Sequence, residues 1–169
     1  MISLPSVFEK DIQSNTISIT PLIIVDDSIY ISSNKGIFKN KQNINVFYED
    51  RNLQLSNISE SVDVIEKRFK INNVNFKLNN FPVNGVRFSD FVSDTNLINK
   101  FVDIYYKTQS AQNIEDCILV YRGTIRRFVH DSKSCKISLE DITEDKLSQK
   151  IPYATNLSHD TYRLKDKNK

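Results

Sequence analysis

Between Ser134 and Leu139 polar and apolar residues alternate without a break, with Cys135, Ile137 and Leu139 on one side and Ser134, Lys136 and Ser138 on the other. Successive side chains of a strand point to opposite faces, so a period of two predicts half-buried β-structure and argues against a helix, whose period is 3.6. The signature recurs at Arg68-Phe69-Lys70-Ile71 and at Val74-Asn75-Phe76-Lys77-Leu78, either side of Asn72-Asn73. Asparagine tolerates the left-handed backbone of a two-residue hairpin loop. A hairpin pairing Ile71 with Val74 and Phe69 with Phe76 follows, with Lys70 and Asn75 on the opposite face.

Other segments carry β-branched runs. Ile17, Ile19 and Leu22 to Val25, then Ile29-Tyr30-Ile31, flank Asp26-Asp27-Ser28 and predict strand, turn, strand. Ile37-Phe38 and Val46-Phe47-Tyr48 predict short strands around the polar stretch 39–43, after a turn at Asn34-Lys35-Gly36. Phe81-Pro82-Val83-Asn84-Gly85 breaks the pattern, and the approximately helical spacing of Phe88, Phe91, Val92, Leu97, Ile98 and Phe101 predicts a short helix or irregular loop, the single such element before residue 140. Phe101 to Lys107 reads as a strand and Thr108 to Asn113 as a polar break. Cys117 to Tyr121 predicts a strand ending at Arg122-Gly123, and Thr124 to His130 a second one. After a turn at Asp131-Ser132-Lys133, residues 134–139 form a third. Glu140 to Leu147 predicts a short helix with an acidic start, which suits the helix dipole, ended by Ile151-Pro152.

The expected fold is therefore mainly β, an antiparallel barrel or sandwich with one or two short helices. With 169 residues, 39% of them apolar and only three glycines, the chain suits a folded domain. A single unit over residues 1–155 is expected, with a polar tail or the start of a further segment at 156–169; two small barrels divided near residue 85 are the alternative.

Little in the chain points to chemistry. Lys and Arg exceed Asp and Glu by 23 − 21 = 2, and the signs are interspersed, so a strong electrostatic footprint for nucleic acid or an anionic membrane is missing. The basic run Arg163, Lys165, Lys167 and Lys169, diluted by Asp166, reads as a solvated terminus. No apolar run approaches the roughly 20 residues of a membrane helix, and Met1-Ile2-Ser3-Leu4-Pro5 lacks the basic and apolar segments of a secretion signal. Asn57-Ile58-Ser59 and Asn156-Leu157-Ser158 match the glycosylation pattern by chance in that setting. Cys117 and Cys135 lack the spacing of a zinc motif, and a reduced compartment with plain core packing is the simpler expectation.

His130 precedes Asp131 and His159 precedes Asp160, but strand neighbours face opposite ways and spacing nominates no nucleophile. Glu140-Asp141 and Glu144-Asp145 lack the alternating oxygen ligands and central glycine of an EF-hand, and fit helix capping better. Phosphate-cradling glycine motifs are missing. Arg122, Arg126 and Arg127, near Tyr121 and Phe128, form the one basic and aromatic cluster that would stack on single-stranded nucleic acid, although Arg126 and Arg127 are expected on opposite sides of their strand. No catalytic residue, metal ligand or cofactor is nominated.

The order from Phe101 to Pro152 carries a resemblance. A Val, Ile and Tyr-rich strand and a polar gap lead to Leu119-Val120-Tyr121-Arg122-Gly123-Thr124-Ile125, then Cys135-Lys136-Ile137-Ser138-Leu139-Glu140-Asp141 and Lys150-Ile151-Pro152. This resembles hub and tail-tip proteins of the baseplate of tailed phages, over about a third of the chain. The resemblance implies tube-like β-barrel domains in a trimeric ring that closes the distal end of the tail tube. Gly123 would supply the tight link between two barrel strands, with Ile125, Ile137 and Leu139 packing the barrel. It implies a place in the virion tail after assembly in the host cytoplasm. The implied partners are further copies, a tail tube or distal tail protein, a tape-measure protein and fibre or baseplate proteins, with passing DNA touched only non-specifically. Interface anchors under this view are Tyr105, Tyr106, Arg126 and Arg127, with burial of one tyrosine an equal alternative. The chain departs from the family in having one clear copy of the pattern and no lysozyme-like insert, so an amino-terminal piece of a longer hub or a reduced member is expected. Two readings of other classes stay open: an OB-like nucleic-acid module, and an enzyme whose site is shared between subunits.

Overall fold

A computed structural model describes residues 4–14, 16–63, 68–71, 74–83, 85–93 and 95–141, with residues 60–63 and 68–71 as backbone. Helix α1 (Ser6–Ile12) leads into β1 (Thr20–Val25) and β2 (Ile29–Ser32), followed by β3 (Gly36–Lys39), β4 (Asn45–Asp50) and β5 (Gln54–Leu55). Next come β6 (Glu60–Asp63), β7 (Arg68–Ile71), β8 (Asn75–Asn79) and the single-turn helix α2 (Phe88–Phe91). The chain continues with β9 (Phe101–Lys107), a 3-10 turn (Ile114–Asp116), β10 (Ile118–His130) and β11 (Ser134–Asp141).

Nine strands form one mixed sheet in the order β3-β4-β2-β1-β9-β10-β11-β8-β5, in which β2 and β4 are the parallel pair. This sheet is not flat. Seven inter-strand steps separate β4 from β5, about 34 Å in a flat sheet, yet four Cα steps join Asp50 to Gln54, which span roughly 14 Å at most. The sheet therefore curls into a barrel. Arg51 marks the closure: beside it Asp50 pairs with Ser32 of β2, while its own carbonyl accepts from the Asn79 amide of β8 at 2.7 Å.

The barrel interior is one apolar core. Ile23 and Val25 of β1, Val102 and Ile104 of β9, Ile125 of β10, Cys135, Ile137 and Leu139 of β11, and Phe76 and Leu78 of β8 all point into it. Phe88 and Val92, from α2 and its C-terminal flank, and Leu97 pack into the same core. Two polar side chains tie this region together. Buried Asn80 donates to Ser89 Oγ at 3.0 Å and to the Asp131 carbonyl at 2.7 Å, and accepts from the Ser89 amide at 2.9 Å. Buried Arg51 donates to Glu49 at 2.7 Å, with its guanidinium 5.9 Å from the Phe88 ring centroid. The Asn80 amide and the Arg51 guanidinium are thereby hydrogen-bonded, as burial requires.

The mainly β expectation holds, and so do many of its elements. β1 and β2 form a hairpin whose turn places Asp26 and Asp27 at φ 50°, with Ser28 donating to the Val25 carbonyl at 3.0 Å. β3, β4 and β9 lie where the sequence puts them, and β11 buries Cys135, Ile137 and Leu139 as its alternation demands.

Four expectations are corrected. Residues 118–130 are one strand, and Gly123 lies in its middle rather than at a link between two strands. A Cβ there would strike the Glu140 carbonyl oxygen and come within 2.6 Å of the Tyr121 hydroxyl, so the glycine permits close approach and makes no turn. The hairpin across Asn72-Asn73 is also overturned. β7 pairs with β6, setting Phe69 opposite Val62, while Phe76 lies between Ile137 of β11 and Leu55 of β5, so both edges of β8 are occupied. Helical elements before residue 140 number more than one, since α1 and the 3-10 turn join α2. Glu140 and Asp141 end β11 instead of opening a helix; the rest of that expected helix and its end at Ile151-Pro152 lie outside the described residues. Strands from both sides of residue 85 share the sheet and its core.

Candidate assembly surface

On the barrel exterior, β1 and β9 turn Leu22, Ile24 and Tyr105 outward, and a second layer covers them. Phe38 and Tyr48 come from the β3-β4 hairpin, and Ala111, Ile114 and Cys117 from the connection between β9 and β10. The rings interlock edge to face, Tyr30 with Tyr48 at 5.3 Å and Phe38 with Tyr48 at 6.2 Å between centroids. Lys107 caps the layer, its ammonium 4.4 Å from the Phe38 ring centroid. The Tyr48 hydroxyl is buried with no hydrogen-bond partner among the described residues, and burial pushes its pKa well above the usual tyrosine value.

One ionic cluster latches hairpin to sheet. Asp103 on β9 accepts from Arg122 Nε at 2.6 Å and Nη2 at 2.8 Å, from Lys41 Nζ at 2.9 Å, and from the Tyr105 hydroxyl at 3.4 Å. Burial alone would raise the Asp103 pKa, but the bonds from Arg122 and Lys41 prevail and hold it below the usual aspartate value. Arg122 is correspondingly held above its usual value by Asp103. A cavity of about 500 Å³ adjoins the cluster, bordered by Ile24, Asp26, Asp27 and Phe101. With its carboxylate oxygens bound by its own chain's cations, Asp103 is a latch and not a poised acid or base.

The hairpin presents a different face to solvent. Ile37 and Phe47 are direct cross-strand partners, 70% and 57% exposed, and Ile44 at the hairpin tip is 55% exposed. β3 is the edge strand of the nine-stranded sheet, bridged at Lys39 to Asn113 in the connection between β9 and β10. An apolar pair on a sheet edge is the kind of surface that pairs with another protein chain.

Of the anchors expected from sequence, Tyr105 takes the alternative left open for one tyrosine: its ring is buried between sheet and hairpin and belongs to the core. Tyr106 is partly exposed on β9, between Pro21 and Ile118. Arg126 and Arg127 are both exposed, and their expected placement on opposite faces is corrected by a β-bulge. Ile125 pairs with Leu139 and Arg127 with Ser138, which leaves Arg126 as the extra residue. Ile125 and Phe128 can thus both point inward while the two arginines point out. A basic stacking surface does not form, because Tyr121 and Phe128 pack on the barrel core and Arg122 is bound to Asp103.

His130 stacks on Phe128 at 5.3 Å between centroids. Asp131 does not orient it: the Asp131 carboxylate accepts the Lys133 and Ser134 amides at 2.7 Å each, which hold its pKa below the usual value. Cys117 and Cys135 are free and lie in the outer and inner clusters respectively, and burial pushes their thiols up to about 12 and about 11. Among the described residues no cluster of His, Cys, Asp and Glu could hold a metal ion, and no helix is long and apolar enough to cross a membrane.

Sequence reasoning missed Asp103, Lys41 and the exposed Ile37-Phe47 pair. The available signals were an acidic residue inside an apolar strand and two adjacent apolar residues in a four-residue strand, one of which must face outward.

No protein-family model matches the sequence, and no curated protein matches it. A solved structure titled "Virion of native gene transfer agent (GTA) particle" contains a chain of similar fold, with a TM-score of 0.56 and 9% identity. The likeness covers 86% of this chain and 47% of the other, so this chain spans under half the length of that neighbour. What the two share is the fold.

Proposed function

We propose that this chain is a structural component of a phage-like virion, working through assembly rather than catalysis. The shared fold with a chain of the gene transfer agent virion, over 86% of this chain, carries the reading. The exposed pair Ile37 and Phe47 at the sheet edge supplies a surface suited to such assembly. In its finer form the reading places the chain in a hub or tip ring of three copies, closing the distal tail tube and anchoring baseplate or fibre proteins. β3 and the outer face of its hairpin would meet the neighbouring protomer.

Imaging of the native particle with a gold-labelled antibody against this chain tests the reading. Label at the tail tip is expected; label confined to the capsid overturns the tail role, and particles that contain none of the chain overturn the structural role. For the surface, incorporation of Ile37→Asp/Phe47→Asp into particles is the measure. We expect incorporation to be lost while circular dichroism stays that of the wild type. Normal incorporation would remove the hairpin from the interface.

A further inference from the structure

The remaining exterior, on β10, β11, β8 and β5, has no second layer among the described residues. Its outward positions read Arg127 and Val129 on β10, Lys136, Ser138 and Glu140 on β11, Lys77 on β8 and Gln54 on β5. Lys136 and Lys77 are direct cross-strand partners and both are exposed. Like charges directly opposite one another destabilise a sheet. Neither lysine makes an ion pair among the described residues. Two acids lie on or beside this face. The Asp131 carboxylate, which Lys77 senses electrostatically, is taken by backbone amides, and Glu140 lies 3.6 Å from Arg126.

The lysine pair lies in a shallow cleft of about 620 Å³, whose other polar residues include Gln54, Ser56, Asn75 and Ser134. The bulge at Arg126 adds the exposed Arg127 guanidinium along the same face, while Arg126 itself is paired with Glu140. Lys77, Lys136 and Arg127, which make no ion pair among the described residues, form a row of cations among hydroxyls and amides that complements a polyanion. Protein interfaces instead centre on a dehydrated apolar core with aromatic or arginine anchors, and here Val129 is the one large apolar side chain well exposed on the outward row. Phosphate oxygens are held by Lys and Arg together with Ser, Asn and Gln, the composition found here. Phe76 and Phe128 point inward, so the outward row offers no aromatic platform for unpaired bases.

We infer that the outer face of β10-β11-β8, centred on Lys77 and Lys136, binds the phosphate backbone of double-stranded nucleic acid without reading its sequence. This requires neither a ring nor a neighbouring copy, so its failure and the failure of the assembly reading are separate events.

Fluorescence anisotropy of a labelled duplex of roughly 20 bp, titrated with the full chain between about 50 and about 200 mM salt, tests it. Wild type should bind with an affinity that falls steeply as salt rises. Lys77→Gln/Lys136→Gln should weaken binding by about 10- to 60-fold near 100 mM salt and reduce the salt slope by about 1.8, the loss of two phosphate contacts. Lys35→Gln, on the covered half, controls for net charge and should change affinity less than about threefold. The double variant should melt no lower than wild type, since it relieves a like-charge pair. No binding at the lowest salt, or equal loss from Lys35→Gln, overturns the inference. A lower melting temperature would make the pair a structural one and do the same. Tighter binding of poly-glutamate than of the duplex would assign the face to an acidic protein instead.

Discussion

The two halves of the barrel exterior differ although they belong to one sheet and share one core. On β1 the run Leu22-Ile23-Ile24-Val25 is apolar on both faces, and a second layer of Phe38, Tyr48 and the 3-10 connection covers its outer side. On β11 the alternation of Cys135, Lys136, Ile137 and Ser138 leaves the outer side to water. Continuous apolar strands require cover on both faces, whereas alternating ones tolerate solvent on one. The cover has a cost of its own, because a thin hairpin has two faces. It hides Leu22 and Ile24 by displaying Ile37 and Phe47. Hydrophobic exposure over Leu22 and Ile24 has been moved outward, to Ile37, Phe47 and the Ile44 tip of the hairpin.

The largest test of this contrast is Phe38→Ala. Emptying the middle of the second layer should cost about 3 kcal/mol, measured by urea denaturation, and raise hydrogen exchange in β3 and β4 before β10 and β11. Uniform loss of protection would mean that the two halves unfold as one. Asp103→Asn comes next, at about 2 kcal/mol, the worth of hydrogen bonds to a charged group. Because the folded pKa of Asp103 is depressed, its contribution is fully present above the ordinary aspartate value of about 3.9 and is lost as pH falls through the lower folded value. Stability measured across that acidic window should therefore drop more for wild type than for Asp103→Asn; parallel curves would remove the latch. Smallest is Tyr48→Phe, which deletes a buried hydroxyl with no partner among the described residues. It should leave stability unchanged or raise it by up to about 1 kcal/mol, and a clear loss in thermal melting would reveal a bonded hydroxyl.

Legibility in the sequence followed the locality of the cause. β11 and the β1-β2 hairpin were readable because alternation, apolar runs and the Asp26-Asp27 turn are local signals. β10 was read as two strands because its alternation slips at two bulges and Gly123 resembles a turn, while the reason for the glycine lies across the sheet at Glu140. The Asn72-Asn73 hairpin was the best local solution for its residues, and lost to the partners of β8, β11 and β5, which are distant in sequence. α1 escaped notice because its N-cap is Pro5, no side chain caps it, and Phe8 is its one buried apolar residue, too few to set a helical period. The assembly surface was least legible. Burial of Tyr105 and exposure of Phe47 depend on where a hairpin folds over the barrel, and no pattern within either strand encodes it.

The pairing of β1 with β9 also sets a timetable for synthesis. Val25 meets Val102, so 77 residues must still be translated before the first apolar strand finds its inner neighbour. At about 5–20 residues per second that delay is roughly 4–15 s. Throughout it the nascent β1-β2 hairpin carries Leu22 to Val25 with one strand edge unclaimed. A ribosome-bound chaperone, or early collapse of the β3-β4 segment onto Leu22 and Ile24, would shelter that edge until β9 emerges, so the outer layer is also the first protection the growing chain can make for itself.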